Sequence, residues 1–176
     1  MFLDVETTGM SPHSGGRIIE IGALRMEDYK VVSTMKSFIY PEIDIPYFIT
    51  DITGITNKHV SSAPLFYEII DELETISKDA IFVAHNVNFD YGFIQEEYRK
   101  LGRKFIRSRL CTVQLSRGLH PHEKGHSLGK IIERHGYNVN NRHRAFDDAQ
   151  VLYQFFEEMH TKDEEALQVL INRLIR

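Results

Sequence analysis

The sequence predicts an α/β layer fold with one mixed, five-stranded sheet flanked by helices. Three observations carry this expectation. Runs rich in β-branched and aromatic residues alternate with stretches of helical spacing through the first two thirds of the chain. Their order reads three strands, helix, strand, helix, strand, and then helices only. No internal repeat, low-complexity tract or linker interrupts the 176 residues, a length that suits one domain with a sizeable core.

FLDVE, from Phe2, is the first strand, with only three residues ahead of Asp4. RIIEIGALRME (17–27) and VVSTMKSFIY (31–40) form a hairpin around the turn-like Asp28-Tyr29-Lys30. PEIDIP breaks the pattern, and a helix follows from Ala63 or Pro64 to about Ile76, with proline at its start. IFVAH (81–85), a short apolar run between polar residues, is a buried strand. Helical spacing returns from Asn88 to Leu101, and FIRSRL (105–110) reads as the fifth strand. Thr112 can cap a short helix ending at Gly118, and Ser127 can cap LGKIIERH, which Gly136 stops. A long helix spans about Ala145 to Met159. The last starts near Thr161, with Asp163, Glu164 and Glu165 in a first turn that suits negative charge. Leu167, Leu170, Ile171, Leu174 and Ile175 give it a broad apolar face, for packing on its own domain or for docking a partner.

Composition narrows the setting. With 42% hydrophobic and 26% charged residues the chain is ordinary for a soluble globular protein. No apolar run approaches membrane-spanning length and no secretory signal opens the chain, so no membrane partner is expected. The single cysteine, Cys111, can form no internal disulfide, which fits a reducing cytoplasm. A net charge of -4 argues against broad, charge-driven duplex binding but leaves room for a narrow nucleic-acid cleft. Basic residues cluster at Arg99, Lys100, Arg103, Lys104, Arg107 and Arg109, and again at Arg142 and Arg144; most of them read as a solvated helix face and loop.

The acids are less ordinary. In a strand, residues i and i+2 share a face, so Asp4 and Glu6 project together, opposite Leu3 and Val5. Thr7, Thr8 and Gly9 then end the strand, which places both acids at its C-terminal end, where open α/β sheets form their sites. Asp90, in the first turn of the helix after IFVAH, shares its face with Ile94 and Leu101 and points inward. In HRAFDDAQVL, Asp148 aligns with Ala145, Leu152, Phe155 and Met159, whereas Asp147 is rotated about 100° away towards water. His143 lies five residues before Asp148, in a loop able to swing its ring over the same place. Glu20 alternates with Ile19 and Ile21 and stands outside this set.

Two carboxylates about 4 Å apart repel by roughly 4 kcal/mol at an effective dielectric near 20. Four together would consume much of a typical stability of about 5–15 kcal/mol unless protons or cations sit among them. Oxygen-rich donors without cysteine suit hard ions such as Mg²⁺ or Mn²⁺. HPHEKGH (120–126) brings three histidines close, but lacks cysteine and is interrupted by Gly125, so it reads as a polar loop beside His143.

Taken together, DVETTG, HNVNFD and HRAFDD resemble the three motifs of the DEDDh, or DnaQ-like, 3′–5′ exonucleases, a branch of the ribonuclease-H-like fold that includes the proofreading epsilon subunit and exonuclease domains of bacterial DNA polymerase III. IIEIGA, TGIT and HSLGKI resemble further segments of that family. The similarity covers roughly residues 1–160, so 1–176 reads as one exonuclease domain with 161–176 as its C-terminal helix. The resemblance implies a two-ion site for Mg²⁺ or Mn²⁺. In it Asp4 would contact both ions, Glu6 and Asp148 would complete the one that carries the attacking water, and Asp90 would help hold the other. His143 is implied as general base, a task suited to a side chain whose unperturbed pKa is about 6.5.

The implied substrates are 3′ ends of single-stranded or frayed DNA, cut to nucleoside 5′-monophosphates, with a DNA polymerase as partner. Thr7, Thr8 and Gly9 would meet the terminal nucleotide through their backbone, and Ile55 and Phe89, with Asn86 nearby, would face the terminal bases. Ile55 and Phe89 read equally as ordinary core. Three other readings stand beside this one. They are an exoribonuclease similar to oligoribonuclease or RNase T with the same site, an aspartyl phosphatase suggested by DVETT, and a catalytically silent binding module.

Overall fold

The computed structural model describes residues 1–139 and 141–176. Five strands form one sheet: β1 (Phe2–Thr7), β2 (Ile18–Glu27), β3 (Lys30–Phe38), β4 (Phe82–Ala84) and β5 (Arg109–Cys111), in spatial order β3-β2-β1-β4-β5. β1, β2 and β3 are antiparallel neighbours, whereas β1–β4 and β4–β5 are parallel. The expected mixed five-stranded sheet is present. Asp28 and Tyr29 both take positive φ (47° and 60°), the two-residue turn that matches strand twist, so Lys30 already belongs to β3.

Eight α-helices flank the sheet among the described residues: α1 (Tyr47–Thr53), α2 (Asn57–Val60), α3 (Phe66–Ser77), α4 (Asn88–Lys100), α5 (Thr112–Leu119), α6 (Leu128–His135), α7 (Ala145–Lys162) and α8 (Glu164–Leu174). One core lies between the sheet and α3–α4, where Leu3 and Val5 meet Phe66, Leu73, Tyr91 and Ile94. The other lies between the sheet and α5–α8, where Phe2 and Val83 meet Leu115, Leu152, Phe155 and Leu167. The period-2 alternation of β1 thus feeds both layers.

Several expectations need correction. The strand expected over 105–110 is displaced to Arg109–Cys111. β4 begins only at Phe82, whose register partner is Arg109 and whose amide donates to the Ser108 carbonyl, so no β4 residue stands opposite 105–107. Those residues instead pack Phe105 into the core and tie Arg107 to the end of α3 through the Ser77 carbonyl and Glu74. Thr112 is not a side-chain cap: its hydroxyl donates to the Ala84 carbonyl and contacts His85 Nδ1. Leu101 is 41% exposed, so the buried stripe of α4 ends at Tyr98. Asp163 is the N-cap of α8, accepting the Ala166 amide, because α7 continues to Lys162. The sequence assigned no helix to 47–60, yet α1 and α2 form there around Ile19, Ile45, Ile49, Ile55 and Val60. The apolar face of α8 is spent on its own chain, with Leu167, Leu170 and Ile171 buried. Ser127 and Gly136 do cap α6 as expected, the latter at φ 68°.

Candidate active site

β1 outruns its parallel neighbour. The two strands pair at Phe2–Val83, and β4 ends one residue later, at Ala84. The amide of Val5 therefore has no strand partner on that side, and it donates to Asp90 Oδ1 at 3.2 Å. That bond carries the first turn of α4 to the end of β1 and sets Asp90, only 2% exposed, beside Asp4. On the other layer, the N-terminus of α7 lies against the same strand end and delivers Asp148 from its buried face. Asp147 turns outward and accepts from Asn141 Nδ2 at 3.2 Å, which agrees with the helix-face expectation for the pair.

The resulting cavity, about 260 Å³, is lined by Asp4, Val5, Glu6, His85, Asn86, Phe89, Asp90, Leu128, Arg142, His143 and Asp148. Donor atoms of Glu6, His143 and Asp148 lie within 4.8 Å of one another, a spread that one hard ion can bridge. Asn86 and His143 both take positive φ (64° and 60°), a backbone state rare outside glycine and one that clusters at functional sites.

The charges are poorly reconciled with each other. Burial first, and then the charges of Asp90, Glu6 and Asp148, push the Asp4 carboxyl well above its ordinary value. Burial also raises Glu6 to about 7, helped by Asp148 and Glu20, and raises Asp90 to about 8 against the relief of the Val5 amide. Asp148 is raised by burial as well, while Arg142 and His143 pull it down. Arg142 donates to Asp148 Oδ1 at 2.5 Å. Mutual repulsion in a hard-oxygen donor set is what a divalent-cation site looks like before its cations are counted.

The predicted substrate residues divide. Asn86 is exposed and Phe89 half-buried in the cleft wall. Thr7 and Thr8 are buried, with hydroxyls engaged locally: Thr7 donates to the Gly9 carbonyl at 2.7 Å and Thr8 accepts the Arg17 amide at 2.9 Å. Gly9 has open space where a side chain would stand. Ile55 is 1% exposed in the small core under α1 and α2 and does not line the cavity. The 120–126 loop does not line the cavity either: the His120 ring packs at a tilt against His135 and Phe155, and His126 Nδ1 contacts Ser116.

Three residues gained importance only in three dimensions. His85 follows β4 directly in the cleft wall, held near pKa 4 by burial and by Arg142, and is therefore a neutral imidazole. A histidine closing an apolar strand beside the acids was the available signal. Arg142 and Arg144 belong to a basic set that reads mostly as solvated, but these two pair with Asp148 and Glu20.

The chain matches the protein family described as RNase_T: Exonuclease over residues 1–156. It belongs to that exonuclease family. It is 38% identical over 162 residues to the DNA polymerase III PolC-type of Caldanaerobacter subterraneus subsp. tengcongensis, covering 92% of this chain and 12% of that protein. It is 37% identical over 161 residues to the 3′-5′ exonuclease DinG of Bacillus subtilis, covering 91% and 17%. The chain thus spans a small part of the length of these curated relatives. Among solved structures, Exonuclease X in complex with 5′ overhanging duplex DNA superposes with TM-score 0.72 at 24% identity, covering 96% of this chain and 97% of that one. E. coli Exonuclease I in complex with a dA16 oligonucleotide gives 0.82 at 19%, covering 96% and 42%. At these identities the superpositions establish the ribonuclease-H-like fold. The chain is therefore an exonuclease-family domain, a hydrolase of phosphodiester bonds. Membership in that exonuclease family sets aside the aspartyl-phosphatase reading of DVETT.

Proposed function

We propose that this domain trims 3′ ends of single-stranded or frayed DNA to nucleoside 5′-monophosphates, in support of a DNA polymerase and in the cytoplasm. The observation that carries the site is the convergence of Asp4, Glu6, Asp90, Asp148 and His143 on one cavity. The choice of DNA rests on the relatives, a PolC-type DNA polymerase III and DinG.

Asp4, Glu6, Asp90 and Asp148 would hold two Mg²⁺ or Mn²⁺ ions. When bound, the ions would supply positive charge to lower the pKa of the attacking water and stabilise the leaving 3′ oxygen. The chain's own contributions follow from the geometry. An acid-lined cleft repels a phosphodiester, so these four carboxylates would admit one only with cations offsetting their charge. His143, exposed beside Glu6 and Asp148, accepts the proton of the attacking water. Phe89 and Asn86 form the wall against the terminal nucleotide, and the space beside Gly9 admits its close approach. Ile55 contributes by fixing the α1–α2 cap rather than by stacking.

Time-resolved digestion of matched 5′-labelled DNA and RNA strands, with Mg²⁺, Mn²⁺ or chelator, tests this reading. The expected result is a ladder shortening one nucleotide at a time from the 3′ end of DNA, and only with metal. Preferential RNA degradation would move the assignment to an exoribonuclease, and early loss of the 5′ label would end it.

A further inference from the structure

Glu20 occupies a costly position. It is the register partner of Glu6 across the antiparallel β1–β2 pair, and like charges directly opposite each other destabilise a sheet. It is nevertheless 1% exposed. Three donors surround it. Arg144 approaches through Nε at 3.1 and 3.2 Å and through Nη2 at 2.7 Å, and the Ala145 amide donates at 3.0 Å.

Ala145 is the first residue of α7, and its amide is one of the four at a helix start that lack an intrahelical partner. The N-cap position is taken by Arg144, which makes no side-chain cap bond of its own. The missing cap therefore comes from a strand 125 positions earlier, as a carboxylate placed where the helix dipole favours it.

Two residues on, Gly22 adds a steric half to the same contact. A Cβ there would fall 2.2 Å from the Phe146 nitrogen and 2.3 Å from its Cα, so the first turn of α7 rests directly on β2. The Arg144 guanidinium also lies over the Phe38 ring at 5.1 Å, which extends the contact to β3. Asp148 follows Ala145 by one turn and His143 precedes it by two residues, so the attachment of this helix start sets where both side chains stand.

We infer that Glu20 is a positioning residue of this nuclease: by clamping the start of α7 through Arg144 and the Ala145 amide, it holds Asp148 and His143 against Glu6. The inference rests on the proposed roles of those three residues. Outer partners that orient metal ligands typically change affinity or activity about 10–100-fold when removed.

The test compares the parent with Glu20→Ala, Glu20→Gln, Arg144→Gln and Asp148→Ala, well below each melting temperature. The measurements are kcat and KM on a 5′-labelled DNA strand, the half-saturating Mn²⁺ concentration, and the Mn²⁺-induced rise in melting temperature. Glu20→Ala is expected to lose about 10–100-fold in kcat or in Mn²⁺ affinity, with KM for DNA little changed. Glu20→Gln, which keeps an acceptor for the Ala145 amide, should recover part of the loss. A folded Glu20→Ala with parental kcat and Mn²⁺ dependence overturns the inference, however much stability it has lost. Should Glu20→Ala not fold, Arg144→Gln, at the more exposed end of the pair, decides by the same readouts. An active Asp148→Ala would instead show that the site assignment itself has failed.

Discussion

Replacing Asp90 with asparagine should stabilise the metal-free protein while removing its activity. The carboxyl is nearly inaccessible and burial raises it from 3.8 to about 8. In the unfolded chain the same group ionises near its ordinary value. A group raised on folding contributes stability below its unfolded pKa and forfeits it as pH climbs towards the folded one. At 1.36 kcal/mol for each pKa unit, the burden approaches about 5 kcal/mol at pH 8. Neutralising Asp90 also relieves Asp4, and a rearranging cleft recovers part of the cost in the parent, so a gain on the order of 2–5 kcal/mol is expected. Asparagine keeps the oxygen that accepts the Val5 amide but never ionises. Its advantage should therefore shrink to about 1–2 kcal/mol at pH 5. For a chain of this size each kcal/mol is worth about 2–4 °C, so the melting temperature in chelator at pH 8 should rise by roughly 4–20 °C. Thermal unfolding of parent and variant at pH 5 and pH 8, paired with a Mn²⁺-supported nuclease assay, reads both effects. Equal stability at pH 8, or a gap of the same size at both pH values, would refute the reasoning.

Other outcomes follow from the same geometry. Asp148→Ala should abolish hydrolysis, whereas Asp147→Ala, which loses a hydrogen bond from Asn141, should keep most of it; equal losses in a steady-state assay would contradict the orientation of α7. His143→Ala should lower kcat by about 10²–10⁴-fold while most of the Mn²⁺-induced melting shift survives, and loss of that shift would make His143 chiefly a ligand. Saturating Mn²⁺ should stabilise the parent by about 2.7 kcal/mol at a hundred times its dissociation constant, and more at pH 8 than at pH 5, where protons compete for the same carboxylates. An unchanged melting curve at millimolar Mn²⁺ would count against a cation site.

Asp4 and Glu6 could be placed on one face of β1 from a period of two, and Asp148 could be separated from Asp147 by a period of 3.6, because both are properties of a few consecutive residues. The same locality made the hairpin and the caps of α6 readable. α1 and α2 escaped notice because seven- and four-residue helices have little stability of their own; Ile19, from a distant strand, completes the core that holds them. The position of β5 was missed because β4, not its own residues, decides which amides find partners. Glu20 shows the limit most clearly. Its alternation with Ile19 and Ile21 describes a strand and nothing more, whereas its opposition to Glu6 and its grip on Ala145 arise from register and from a helix more than a hundred residues away. Local periodicity settled which faces the acids occupy. Only the packed structure decided which buried charges meet, because like charges, salt bridges and an uncapped helix start acquire their energies from neighbours that chain order does not supply.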